Sequence, residues 1–106
     1  MEEQASFRDE RADHGVRRLV VTGEIDLGVA GRFASATKEL LRNADSAVVI
    51  DLTGVSFFNS TGIGVLCDAA DDAGRRGIEL TVLASSQVRR TLEITGLAEQ
   101  FGLDGA

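Results

Sequence analysis

Residues 47–52 read Ala-Val-Val-Ile-Asp-Leu, a near-continuous apolar run lying between two segments whose apolar residues recur at helical spacing. Such a run is expected of a strand buried on both faces. A strand entered from one helix and left by another also restricts topology to parallel neighbours joined by right-handed crossovers. On its N-terminal side, Val29, Phe33, Ala36 and Leu40 form one helical stripe, with Lys38, Glu39 and Arg42 off it and Asn43 and Asp45 closing it. On its C-terminal side a second helix starts at Ser60. Its stripe is Ile63, Leu66, Cys67 and Ala70, and its wet side is Asp68, Asp71, Asp72, Arg75 and Arg76. Asp71–Arg75 and Asp72–Arg76 are acid-before-base pairs four residues apart, the favourable orientation in a helix, and Gly77 ends the helix.

The rest of the chain extends this pattern. Ala5–Glu10 and Val16–Thr22 are expected strands, paired as a hairpin across Asp13-His14-Gly15 and ended by Gly23-Glu24-Ile25-Asp26. Thr53–Asn59 reads as a connecting loop whose Phe57 and Phe58 are two core aromatics, the alternative being one inward ring and one exposed anchor. Ile78, Leu80 and Val82 alternate with Glu79 and Thr81, as in a half-buried strand. Ser85 or Ser86 caps a third helix carrying Val88 and Leu92 and ended by Gly96, and a last short element lies near Phe101. The expected order is β-β-α-β-α-β-α, an α/β sandwich with a mixed sheet of four to five strands and three to four helices. With 106 residues and no linker or repeat, the chain is expected to form one domain over 1–106.

Composition removes several function classes. The net charge of -6 argues against a nucleic-acid binder, which would carry a basic patch. No run approaches the ~18 apolar residues of a membrane helix. Met1-Glu2-Glu3-Gln4 is acidic and polar, unlike a secretory signal. One cysteine makes neither an internal disulfide nor a zinc cluster, which fits a reducing cytosol. Cys67 on the apolar stripe is a small core residue. The three aspartates of the second helix are a solvated face, not a metal site.

One segment stands apart: Phe58-Asn59-Ser60-Thr61-Gly62-Ile63-Gly64. It follows the most apolar strand and opens a helix, where parallel sheets collect ligand sites and where a phosphate finds a positive dipole end. No lysine makes it a Walker loop, Cys67 replaces the third glycine of a dinucleotide fingerprint, and Phe58 replaces the first glycine of a hydrolase elbow. His14, the one histidine, lies in the hairpin turn, so no Ser-His-Asp triad is expected. Read locally, Ser60 or Thr61 is an N-cap, or a hydroxyl open to modification. Gly62 and Gly64 would let another chain approach closely. A small phosphate-handling enzyme is disfavoured, because no lysine, metal cluster or general base accompanies the loop.

Three landmarks in order resemble one family over almost the whole chain: Gly23-Glu24-Ile25-Asp26; Val49-Ile50-Asp51-Leu52 with Val55-Ser56-Phe57 and Ser60-Thr61-Gly62-Ile63-Gly64; and Val88-Arg89-Arg90 with Leu92 and Thr95-Gly96-Leu97. The chain is similar to the bacterial anti-sigma factor antagonists of the STAS-domain family. The resemblance implies a STAS-like sandwich and a cytoplasmic, non-enzymatic switch in transcription regulation and stress response. It implies that the unphosphorylated form binds an anti-sigma factor, often an ATP-dependent serine kinase, and so releases a sigma factor. That kinase phosphorylates Ser60, and a PP2C-type phosphatase reverses it. The implied partner-binding residues are Asp26, Asn59, Ser60, Thr61, Gly62, Ile63 and Gly64. No catalytic residue, cofactor, metal, nucleic acid or membrane is implied. Asn59 departs from the family, which commonly has aspartate before the acceptor; asparagine keeps the shape and loses the charge. The rival within the family is an unphosphorylated STAS adaptor or sensory module in a transport or signalling complex, where Ser60 would be only a cap.

Overall fold

The hairpin comes first in sequence, and its turn uses left-handed backbone angles. In the computed structural model, which describes residues 5–103, β1 (Ser6–Arg11) runs antiparallel to β2 (Val16–Ile25) across a short 3-10 turn, Asp13–Gly15. His14 and Gly15 both take left-handed backbone angles there, φ 62° and 79°, conformations that cost glycine nothing and other residues something. From β2 the chain passes through α1 (Ala30–Arg42), β3 (Ala47–Phe58), α2 (Ser60–Arg76), β4 (Glu79–Ala84) and α3 (Ser86–Ile94) to a 3-10 turn at Glu99–Phe101. The sheet order is β1-β2-β3-β4, with β2, β3 and β4 parallel. The architecture is the expected mixed α/β sandwich, with four strands and three α-helices among the described residues.

Two successive crossovers stepping the same way across a sheet place their helices on the same face. Burial follows. Val48, Ile50 and Leu52 of β3 are buried beneath the helices, whereas Ala47, Val49 and Asp51, pointing the other way, stay partly exposed. The apolar run is therefore covered on one face, not two. Phe33 of α1 joins the strand layer to the helices, stacking on Phe7 at 6.1 Å between centroids and meeting Phe58 edge-on at 6.2 Å.

Both central strands run further than their sequence pattern suggests. Thr53–Phe58 is not a loop but the second half of β3, and β2 continues to Ile25 beside it. The pattern is hidden because the register slips between Val20 and Thr22 and again between Gly23 and Glu24, which breaks the alternation of apolar residues. At the first slip the Asp51 carboxylate accepts the Thr53 N–H (3.0 Å) and hydroxyl (2.6 Å). A Cβ at Gly54 would lie 2.8 Å from the Thr22 methyl, so the strands approach this closely only without a side chain there.

β4 ends at Ala84, opposite Leu52, which leaves the rest of β3 without a strand neighbour on that side. α3 takes the place. Ser85 caps α3 by accepting the Val88 N–H at 3.2 Å and donates its hydroxyl to the Val55 carbonyl at 2.8 Å; Thr91 donates to the Phe58 carbonyl at 3.3 Å. The helical stripes are rotated slightly from expectation. In α1, Thr37 and Leu41 join Phe33 and Leu40 in the buried face while Val29 and Ala36 are half-buried; the Thr37 hydroxyl is satisfied by the Ala34 carbonyl at 2.9 Å. In α2, Ala69 and Ala73 are buried with Ile63 and Leu66, and Cys67 and Ala70 are half-buried. Asp72 binds Arg76 at 2.9 Å and lies 3.8 Å from Arg75, so the expected Asp71–Arg75 pair is not formed.

Candidate functional site

Ile25 and Phe58 are register partners at the ends of β2 and β3. Asp26 and Asn59, the next residues, therefore leave the sheet at the same level and share the surface at the carboxyl ends of the parallel strands. Asp26 is exposed, and its carbonyl accepts the Val29 N–H at 3.2 Å, turning the chain into α1.

α2 starts differently from the local expectation that Ser60 or Thr61 caps it. The cap is Asn59, which holds extended angles (φ -122°, ψ -169°). Its Oδ1 accepts the Thr61 N–H at 3.1 Å and the Thr61 hydroxyl at 2.6 Å, and its carbonyl accepts the Ile63 N–H at 3.1 Å. An asparagine oxygen with two lone pairs suits this double acceptance. Ser60 is thus the first helical residue, exposed, and its hydroxyl makes no hydrogen bond to the described residues. The two adjacent hydroxyls are chemically separated: Thr61 is half-buried and engaged, Ser60 is exposed and free.

The glycines separate in the same way. Gly62 is buried, and a Cβ on it would meet the Phe58 ring at 2.7 and 2.9 Å; its missing side chain admits Phe58, not an outside chain. Ile63 also faces inward, at 8% exposure. Gly64 is exposed with nothing within 4 Å of its Cβ position. Of the seven residues singled out in the sequence, Asp26, Ser60 and Gly64 form the open surface, Asn59 and Thr61 border it, and Gly62 and Ile63 support it from below.

Four large apolar side chains are exposed among the described residues, Leu83 the least of them at 37%, and of these Leu27, Leu83 and Ile94 were not singled out from sequence. Leu27 and Ile94 are each 75% exposed and Phe57 is 41% exposed, while Phe58 is buried at 3%. Phe57 and Phe58 are therefore one outward and one inward residue, not two core aromatics. Leu27 adjoins Asp26 in the loop before α1. Ile94 ends α3, three residues after the Thr91 that is bonded to Phe58. A signal for Ile94 is present in the sequence, since it falls off the Val88–Leu92 stripe; Leu27 is an isolated leucine in a polar turn.

The first turn of α2 carries no acidic residue of its own at the positive end of the helix dipole. His14 lies at the far end of β2, whose ten residues span roughly 30 Å at ~3.3 Å each, so it does not assist Ser60. Burial, then Asp71 and Asp68, push the Cys67 thiol up, which keeps it protonated near neutrality. A groove of about 410 Å³ between α1 and α2, lined by Thr37, Lys38, Arg42, Asp68, Asp72 and Arg76 among others, includes no residue from 57 to 64. No group of three or more potential metal ligands occurs among the described residues, and no helix there is long and apolar enough to cross a membrane.

Comparison with known proteins converges on one family. The STAS domain model matches residues 9–104. The chain is 36% identical over 94 residues to the anti-sigma-F factor antagonist RsfB of Mycobacterium tuberculosis, covering 87% of this chain and 76% of that protein. A crystal structure of an anti-sigma factor antagonist from Mycobacterium paratuberculosis superposes with a TM-score of 0.86 at 30% identity, covering 97% of this chain and 87% of that one. The Bacillus cell fate determinant SpoIIAA is similar in fold at 17% identity, with a TM-score of 0.74 in its unphosphorylated form and 0.69 in its phosphorylated form, over 89% of this chain and 84% and 86% of those chains.

Proposed function

The chain belongs to the STAS domain family, and from that premise we propose that it is an anti-sigma factor antagonist switched by phosphorylation at Ser60. The observation that carries this is the state of the two hydroxyls at the start of α2: Asn59 engages that of Thr61, while that of Ser60 is exposed and unbonded. In its unphosphorylated form the protein binds an anti-sigma factor through the surface around Asp26, Ser60 and Gly64, and a sigma factor is released. The partner is an ATP-dependent serine kinase. Ser60 Oγ takes the γ-phosphoryl group of ATP, ADP leaves, and the hydroxyl proton passes to a base on the kinase. A PP2C-type phosphatase returns the free serine by hydrolysis. The protein acts in the cytoplasm, influencing transcription by occupying another protein and without touching DNA.

Leu27 and Ile94 supply apolar contact beside the polar loop, in keeping with the usual pattern of interfaces with a desolvated apolar centre. A phosphate on Ser60 adds about -1.5 to -2 charge and a hydration shell to that surface, which opposes docking without any change of fold. Incubation with a candidate anti-sigma kinase and ATP tests the proposal: mass analysis should find one phosphate, on Ser60, and none in Ser60→Ala. Tight binding of the anti-sigma factor with no phosphate transfer would favour the unphosphorylated adaptor instead.

A further inference from the structure

We propose that the uncharged cap at Asn59 lets phosphorylation of Ser60 stabilise the folded domain. The inference rests on Ser60 as the modified residue and concerns what the modified state does to its own helix. Asn59 Oδ1 is committed twice to Thr61, at 3.1 and 2.6 Å, which fixes the side-chain rotamer and turns the Nδ2 amide away from Thr61. That NH2 group is a donor one residue from the Ser60 hydroxyl. A carboxylate at 59 would accept the same two bonds, because both use only acceptor oxygens. It would replace the NH2 donor with negative charge. With no acid in the first turn of α2, the asparagine leaves the positive end of a 17-residue helix facing the phosphate without a competing carboxylate on that turn. Asp26, in the neighbouring loop, is the acidic residue that leaves the sheet at the same level; it is common to all the variants below and cancels in their comparison.

A thermodynamic cycle isolates the effect. Phosphoserine is installed at position 60 during translation, so no kinase is involved. Failure of kinase labelling would count against the proposed switch, and this cycle would still give its answer. Thermal unfolding is measured with and without the phosphate in the wild type, Asn59→Asp and Asn59→Ser. Aspartate and serine cap helices about as well as asparagine, so all three backgrounds fold. At low salt the phosphate is expected to raise the wild-type Tm by about 2–5 °C. The increment should vanish or reverse in Asn59→Asp and largely persist in Asn59→Ser, which keeps the cap uncharged. In ~1 M salt, where the Debye length falls to ~3 Å, the Asn59→Asp deficit should shrink. An equal increment in Asn59→Asp and wild type, no increment in wild type, or equal loss in both variants would overturn the proposal.

Discussion

Two glycines two residues apart on α2 should respond in opposite directions to the same substitution. At Gly62 a Cβ would sit 2.7 Å from Phe58 Cε1 and 2.9 Å from Cζ. The Phe58 ring is 3% exposed and packed edge-on against Phe33, so it has little room to retreat. Overpacking of this kind costs about 1–3 kcal/mol, against a gain of about 1 kcal/mol for alanine over glycine inside a helix. The net loss for Gly62→Ala is therefore up to about 2 kcal/mol, a Tm decrease of up to about 15 °C for a domain of this size, and a 2.7 Å approach to a ring held in the core places it toward the upper end. At Gly64 nothing lies within 4 Å, so only the helix gain applies and Gly64→Ala should raise the Tm by about 4 °C or more. Thermal unfolding followed by circular dichroism reads both. Pairing Gly62→Ala with Phe58→Leu should return part of the loss caused by the methyl group, because the clashing ring is gone. If Gly62→Ala stabilises as much as Gly64→Ala, the close packing of α2 on Phe58 is wrong, and with it the placement of Ser60.

Other perturbations test separate parts of the account. Ser85→Ala removes both the α3 cap and the bond to Val55; it should cost about 1–2 kcal/mol in denaturant unfolding, and an unchanged midpoint would contradict α3's role in covering β3. Cys67, whose thiol is pushed up by burial and by Asp71 and Asp68, should react with a disulfide reagent at pH 8 more slowly than free cysteine and accelerate as pH rises further; a rate equal to the free thiol would refute it. Leu27→Glu and Ile94→Glu, at positions 75% exposed, should leave stability within about 0.5 kcal/mol while weakening binding to the anti-sigma factor about tenfold or more.

Much of this fold is legible because its signals are local. The stripes of α1 and α2, the glycine stop at Gly77 and the alternation of β4 depend on residues near one another, and they place every helix and strand in order. Errors arise where tertiary contacts decide. The second half of β3 looks like a loop because Thr53 and Gly54 interrupt the apolar pattern, yet Val55 and Phe58 reach the core at 2% and 3% exposure. One-sided covering of the sheet is invisible in Ala47–Leu52, because Val49 is apolar whichever way it points. At the start of α2 the chemistry was legible but its assignment was not. Any of Asn59, Ser60 and Thr61 can cap a helix. Only the extended angles of Asn59 and the shared bonds to Thr61 reveal which one does, and so leave Ser60 as the free hydroxyl.

The affinity of the anti-sigma factor for the unmodified and the Ser60-phosphorylated protein, measured side by side by calorimetry, tests the switch most directly. Two phosphate charges facing one partner carboxylate at ~6 Å with an effective dielectric of ~40 cost ~2.8 kcal/mol, so phosphorylation should weaken binding roughly a hundredfold. Ser60→Ala should bind like the unmodified protein and Ser60→Asp should fall between. Equal affinity of the phosphorylated and unmodified forms would contradict a switch at Ser60.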